Sequence, residues 1–124
     1  MAKEFKGADF KKGGKRKKDA KAMKELHLSG VYCVVCGEPG NLHHVLAKGD
    51  PLASGDDVPS NLVGLCGSGT TGCHGLYHAG DEWVVRALGL HVLNERPDFI
   101  FYLQAKLGEE AARSWLNRRL LLTL

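Results

Sequence analysis

The chain is 124 residues long, 44% hydrophobic and 25% charged, with a formal net charge of +3. That is the length and balance of one domain with a modest core. No apolar run approaches the roughly 18 residues needed to span a bilayer, and the basic N-terminus leads into no apolar segment, so neither a membrane anchor nor a secretory signal is expected. The expected setting is intracellular, where thiols stay reduced and cysteines tend to bind metal.

The charge is unevenly placed. Residues 1–24 carry ten Lys/Arg against Glu4, Asp9 and Asp19, a net +7, whereas residues 25–124 carry seven against eleven acids, a net −4. A basic arm on a mildly acidic body is the pattern of a polyanion-binding tail, or of a solvated, solubilising one. With Gly7, Gly13 and Gly14 among its lysines, the stretch 1–20 has almost nothing to bury and is expected to be disordered without a partner. From Asp19 the run DAKAMKELHL suits a short helix.

Gly30 opens the compact part. VYCVVCGEPGNLHHVL reads as two short strands around a turn, residues 31–35 forming the first and 42–46 the second, with Gly37, Pro39, Gly40 and Asn41 between them. Residues 47–60 are a polar loop, NLVGLC returns to apolar character, and 67–72 is a second loop. CHGLYHAGDEWVVRALG is expected to be helical from about His74. Pro97 suits a first helical position and Gly108 a stop. EEAARSWLNRRLLLTL follows as a last helix, with acids early and arginines late to match the helix dipole. Two helices joined across one glycine resemble a helix-turn-helix, but a packing hairpin has the same pattern. Trp83, Phe99, Phe101, Tyr102 and Trp115, at helical spacing, are expected in the core.

The four cysteines form two pairs, 33-CVVC-36 and 66-CGSGTTGC-73. A C-x-x-C knuckle lets two thiolates reach one ion from a single turn, and a second pair closes a four-sulfur tetrahedron. The second pair is more widely spaced than usual, with a Gly/Ser/Thr loop between its cysteines. Cys33, Cys36, Cys66 and Cys73 are therefore expected to hold a structural zinc ion, which would supply folding free energy to a small, loop-rich body. Disulfides are the alternative, disfavoured by the reducing compartment.

Four of the six histidines fall in two clusters, 42-LHHVLAKGD-50 and 72-GCHGLYHAG-80. His74 and His78, four apart, share one helix face and can share one ion. Adjacent His43 and His44 would point to opposite faces of a regular strand. His27 and His91 have no assigned role. Taken in order, C-x-x-C, HHV, NLVGLC and CHGLYH resemble the HNH family of nucleases, in particular its zinc-stapled, phage-type members; the resemblance covers residues 33–78.

That resemblance implies an α+β fold: a small ββα-metal core with a structural four-Cys zinc site, flanked by a basic N-terminal arm and C-terminal helices. The boundaries would be 1–29 for the arm, 30–90 for the nuclease core and 91–124 for the helical extension. It implies a metal-dependent DNA endonuclease, nicking or cutting both strands, that leaves 3′-hydroxyl and 5′-phosphate ends. His44 maps onto the general base, His43, His74 and His78 onto the ligands of the catalytic divalent ion, and Asn61 onto the residue that fixes the loop around the base. Magnesium or manganese commonly serves this family, although imidazole ligands suit nickel or zinc better. The partners implied are DNA and, in a phage setting, DNA-processing or packaging proteins in the cytoplasm of a bacterial host; two staggered nicks would call for a homodimer. No membrane is involved.

The chemistry asks for the same parts. A neutral histidine titrating near pH 7 can take a proton from water, and an ion with open positions can hold phosphate and leaving oxygens. Lys11, Lys12, Lys15, Arg16, Lys17 and Lys18 would supply DNA-backbone contacts without base readout, and Arg113, Arg118 and Arg119 are a second basic candidate or simply dipole compensation. The alternative function is a non-catalytic zinc-binding DNA-binding module, with Cys33, Cys36, Cys73 and one histidine on a single ion and Cys66 spare.

Overall fold

A computed structural model describes residues 16–124; Lys11, Lys12 and Lys15 lie outside the described residues. Its elements are helix α1 (Ala20–Leu28), strands β1 (Asn41–His44) and β2 (Leu62–Leu65), and helices α2 (Gly72–His78), α3 (Glu82–Glu95), α4 (Pro97–Leu107) and α5 (Glu109–Arg119), with a short 3-10 turn at Pro59–Asn61. The class is α+β: five helices and one two-stranded antiparallel sheet among the described residues.

The strand expected at 31–35 does not form. β1 pairs instead with β2, in a register that sets Asn41 against Leu65, Leu42 against Gly64, His43 against Val63 and His44 against Leu62. Residues 33–36 are spent on a turn, closed by Gly37 N–H donating to Cys33 O (2.9 Å) and Cys33 N–H to Glu38 O (2.7 Å). A backbone curled to aim two sulfurs cannot also run a ladder, and only the Tyr32–Pro39 bridge remains. The segment crosses β2 so closely that a Cβ on Gly64 would sit 2.1 Å from Tyr32 O, which is why this strand position carries no side chain.

The long helix expected from His74 is broken in two. α2 runs from Gly72 to His78 with Ala79 as its C-cap; Gly80 then takes φ +81, and Asp81 restarts the helix by accepting a hydrogen bond from Val84 N–H (3.0 Å). The left-handed glycine and the capping aspartate together outweigh the apolar periodicity that runs through them. Asp19 caps α1 in the same way, accepting from Ala22 N–H at 2.9 Å.

Buried side chains from both halves form one core. Val45, Leu46, Val58 and Val63 meet Leu88 and Val92 of α3, Phe99, Tyr102 and Leu103 of α4, and Ala112, Trp115 and Leu116 of α5. Fully burying each Leu, Val or Phe is worth about 1.5–3 kcal/mol, so the sheet holding the histidines is backed by the C-terminal helices. α4 and α5 are thus a packing hairpin. Trp83 and Phe101, expected inside, are exposed (69% and 57%). The buried positions of α3 are 84, 85, 88, 89 and 92 and those of α4 are 99, 102, 103 and 106, so these two rings fall on the outer faces. Among the described residues no helix is long and apolar enough to cross a membrane.

Candidate metal centre

Cys33, Cys36, Cys66 and Cys73 converge with their sulfurs all within 4.8 Å of one another. The Cys33–Cys36 turn supplies one pair. β2 delivers Cys66 at its end, and the 67–71 loop returns the chain so that Cys73 falls in the first turn of α2. The Cys36 and Cys66 sulfurs are 3.6 Å apart, near the ~3.8 Å expected for two thiolates bound at about 2.3 Å to one tetrahedral ion and far beyond a disulfide bond of about 2 Å.

Electrostatics favours the same occupant. Burial opposes charging Cys33, but backbone groups of Cys36, Cys66 and Val35 outweigh it and bring the thiol down to about 7. Burial and the neighbouring thiols push Cys73 well up. Four sulfurs this close cannot all ionise without a cation between them, and the cluster can hold a structural metal ion such as zinc. Cys66 is a full member of it, not a spare.

The second group is His43, His74 and His78, whose ring nitrogens also lie within 4.8 Å of one another. His43 is on β1, buried, and faces α2, where His74 and His78 lie one turn apart. His43 Nδ1 is 3.1 Å from His74 Nε2, close to the ~3.3 Å between nitrogens bound at about 2.0–2.1 Å to one tetrahedral ion. Nε2 of His43 and Nδ1 of His74 are buried without a hydrogen-bond partner. Rings this crowded and incompletely satisfied are costly unless something shares them. Burial, then the charges of His74, His78 and His44, lower His43 to about 3; burial and His78 lower His74 also. Both are neutral at physiological pH, the state a metal requires. The residues present fit a divalent ion.

His44 follows His43 on β1 and points elsewhere: its Nε2 lies 2.8 Å from Asp57 Oδ1. Asp57 also takes an ion pair from Arg16 and the N–H of Asp19 (2.9 Å). Burial would raise its carboxyl, but these contacts, with the His44 ring, outweigh that and hold it below the ordinary value. Even so, His43, His44, His74 and His78 line one cavity of about 370 Å³, with Lys48 and Met23 on its walls.

Asn61 makes no hydrogen bond to the His44 ring. It is fully buried, donates to Leu46 O and Asp56 O (3.1 Å each) and accepts from Leu46 N–H (2.8 Å). It therefore staples both ends of the 46–56 loop, the segment that leads from β1 to Asp57. Asp56, also fully buried, accepts from Tyr102 Oη (2.5 Å) and pairs with Lys106 Nζ at 3.0 Å, a charge contact more than an aligned hydrogen bond.

Of the basic residues expected to meet DNA, Arg16 is turned inward to Asp57 and Gly55 O, Lys17 has its N–H on the Asp56 carboxylate, and Lys18 is exposed. His27 is exposed and His91 half-buried, both away from the cluster. Asp57 carries no signal of its own in the sequence, where the acids of GDDVP, just ahead of Asn61, belong to a polar loop. A comparison with protein-family models, with curated proteins and with solved structures finds no match to this chain.

Proposed function

We propose that the protein is a metal-dependent DNA endonuclease of the HNH kind, with a ββα-metal core made of β1, β2 and α2. The observation that carries the reading is the single cavity onto which His43, His44, His74 and His78 all open. Three of them form a ligand set, and the fourth stands beside it with its own carboxylate.

His44 is the general base. A carboxylate only accepts hydrogen bonds, so Asp57 fixes the proton of the neutral ring on Nε2 and leaves Nδ1 with the lone pair that takes a proton from water. As Nδ1 is protonated, Asp57 stabilises the imidazolium. Asn61 contributes at one remove, by holding the loop that carries Asp57. His43, His74 and His78 would hold a divalent ion, which supplies stabilisation of the charge developing on the phosphate and on the leaving 3′ oxygen. The four cysteines tie the turn at 33–36 to the start of α2 and so keep β1 and α2 facing each other.

The test is cleavage of supercoiled plasmid with magnesium, manganese, nickel or zinc, by wild type and by His44→Ala. The expected outcome is nicked or linear product from wild type and a loss of at least about a hundredfold in the variant, whose unfolding temperature stays within a few degrees. Undiminished cutting by His44→Ala, or no cutting by wild type with any of the four metals, overturns the reading.

A further inference from the structure

A second cavity, of about 350 Å³, also has His78 in its lining, with Tyr77, Val85, Arg118, Arg119 and Leu121 among the other residues of its wall. His78 thus lines both the histidine cavity and this basic one. We propose that this second cavity is a phosphate subsite that seats a non-scissile phosphate of the same DNA strand, next to the one held at the histidine cluster. The identity of the ligand rests on the nuclease reading.

Three observations carry the assignment. First, the charge is largely uncompensated. Among the described residues Arg118 makes no ion pair, and Arg119 reaches only Asp50, at 3.3 Å. Asp50 is itself buried and already accepts from Trp115 Nε1 (3.0 Å) and Leu52 N–H (2.9 Å). Arg118 thus has no carboxylate and Arg119 shares one that is already committed, and the forked donors of a guanidinium match phosphate oxygens. Compensation of the α5 dipole explains cations at this end of the helix. It does not explain why they line a cavity that shares His78 with the histidine site.

Second, the backbone that carries the arginines is anchored, although both side chains are exposed. Beyond α5 the chain turns back: Leu120 is buried, and Leu124 N–H and Asn117 Oδ1 hydrogen-bond at 2.9 Å. Leu121, on the cavity wall, has φ +55, a left-handed backbone that leucine rarely adopts. Third, the two cavities share the His78 side chain, which makes them neighbours for a strand that lies across both.

The experiment measures binding of the full chain to a short fluorescein-labelled DNA duplex by anisotropy, without added divalent metal, across a salt series. Arg118→Gln, which breaks no ion pair, and the double variant Arg118→Gln/Arg119→Gln are compared with Arg113→Gln, an exposed arginine on the same helix outside this cavity. The expected result is roughly tenfold weaker binding for the double variant, with the slope of log affinity against log salt shallower by about one per guanidinium removed. Arg113→Gln should change both much less. Unchanged affinity and slope in both cavity variants, or equal effects at Arg113, overturn the subsite. The nuclease reading is judged separately: His44→Ala should bind DNA with the wild-type slope and not cut it. An arginine-dependent slope in a protein that cuts with no metal keeps the subsite and sinks the nuclease; cutting with a slope indifferent to Arg118 and Arg119 does the reverse.

Discussion

Asp57 joins parts that are separate in the sequence: the N-terminal segment, through Arg16 and the N–H of the α1 cap Asp19, and β1, through His44, the proposed base. Replacing it with asparagine keeps the size and removes the charge. An amide can offer its N–H₂ to His44 Nε2, which would move the ring proton to Nδ1 and fill the lone pair the reaction needs. Asp57→Asn is therefore expected to lower kcat for plasmid nicking by on the order of a hundredfold, with KM little changed. It should also cost stability, because charge-assisted hydrogen bonds are worth about 1.5–3 kcal/mol. The sign with pH follows from the direction of the shift. A carboxylate whose folded pKa is depressed stabilises above its unfolded value of about 3.9, and that contribution is lost as pH falls through the folded value. Wild type should lose the docking of α1 on acidification below about pH 4, seen as lost amide protection in residues 20–28, and Asp57→Asn should show no such step. A variant that cuts at the wild-type rate would remove Asp57 from the chemistry.

At the scale of the element, the sulfur cluster fastens a short sheet that has little else on that side. The turn at 33–36 lies across β2 through Val34 N–H donating to Gly64 O (3.0 Å), and the cysteines pin that crossing. Cys66→Ser removes a ligand at the end of β2 and is expected to reduce the metal content of protein stripped of loosely bound ions from about one zinc per chain to well below half. Amide protection should fall in 31–40 and 62–74 before it falls in α3 to α5. Retention of zinc and of that protection by Cys66→Ser would show that the four sulfurs are not the site. The cysteine and histidine clusters were legible in the sequence because ligand spacing is a local property: a knuckle or an i, i+4 pair is written in four or five consecutive residues. The partner of β1 was not. Residues 31–35 have the β-branched and aromatic character of a strand, and only the closeness of Tyr32 to Gly64 shows that they pass over the sheet instead of joining it. The break between α2 and α3 was written in the chain as Gly80-Asp81, a stop followed by a cap, and was hidden by the periodicity on either side.

At the scale of the whole molecule, the site and its support are one cooperative body, and the joint is a buried charge. Asp56 comes from the loop that Asn61 staples, Lys106 and Tyr102 from α4, and Lys106 and Asp56 are both buried to within 1% of complete. Nothing in KLG at the end of α4 marked a buried lysine, since its partner lies far away in the sequence and only the fold brings them together. Removing one member of such a pair leaves the other charged and desolvated, at a cost of about 3–5 kcal/mol, whereas replacing both with apolar or neutral groups is often close to neutral. Lys106→Met is thus expected to lower stability by about that amount, and Asp56→Asn in the same chain should recover part of the loss, since the asparagine carbonyl still accepts from Tyr102. Because one core runs from Val63 to Trp115, the loss should appear as a single unfolding transition shifted to lower temperature, with sheet and helices melting together. Two separated transitions in Lys106→Met, with α3 to α5 surviving after the sheet is lost, would mean that the histidine-bearing half is a separate unit merely resting on the helices, and the coupling assigned here to Asp56 and Lys106 would fall.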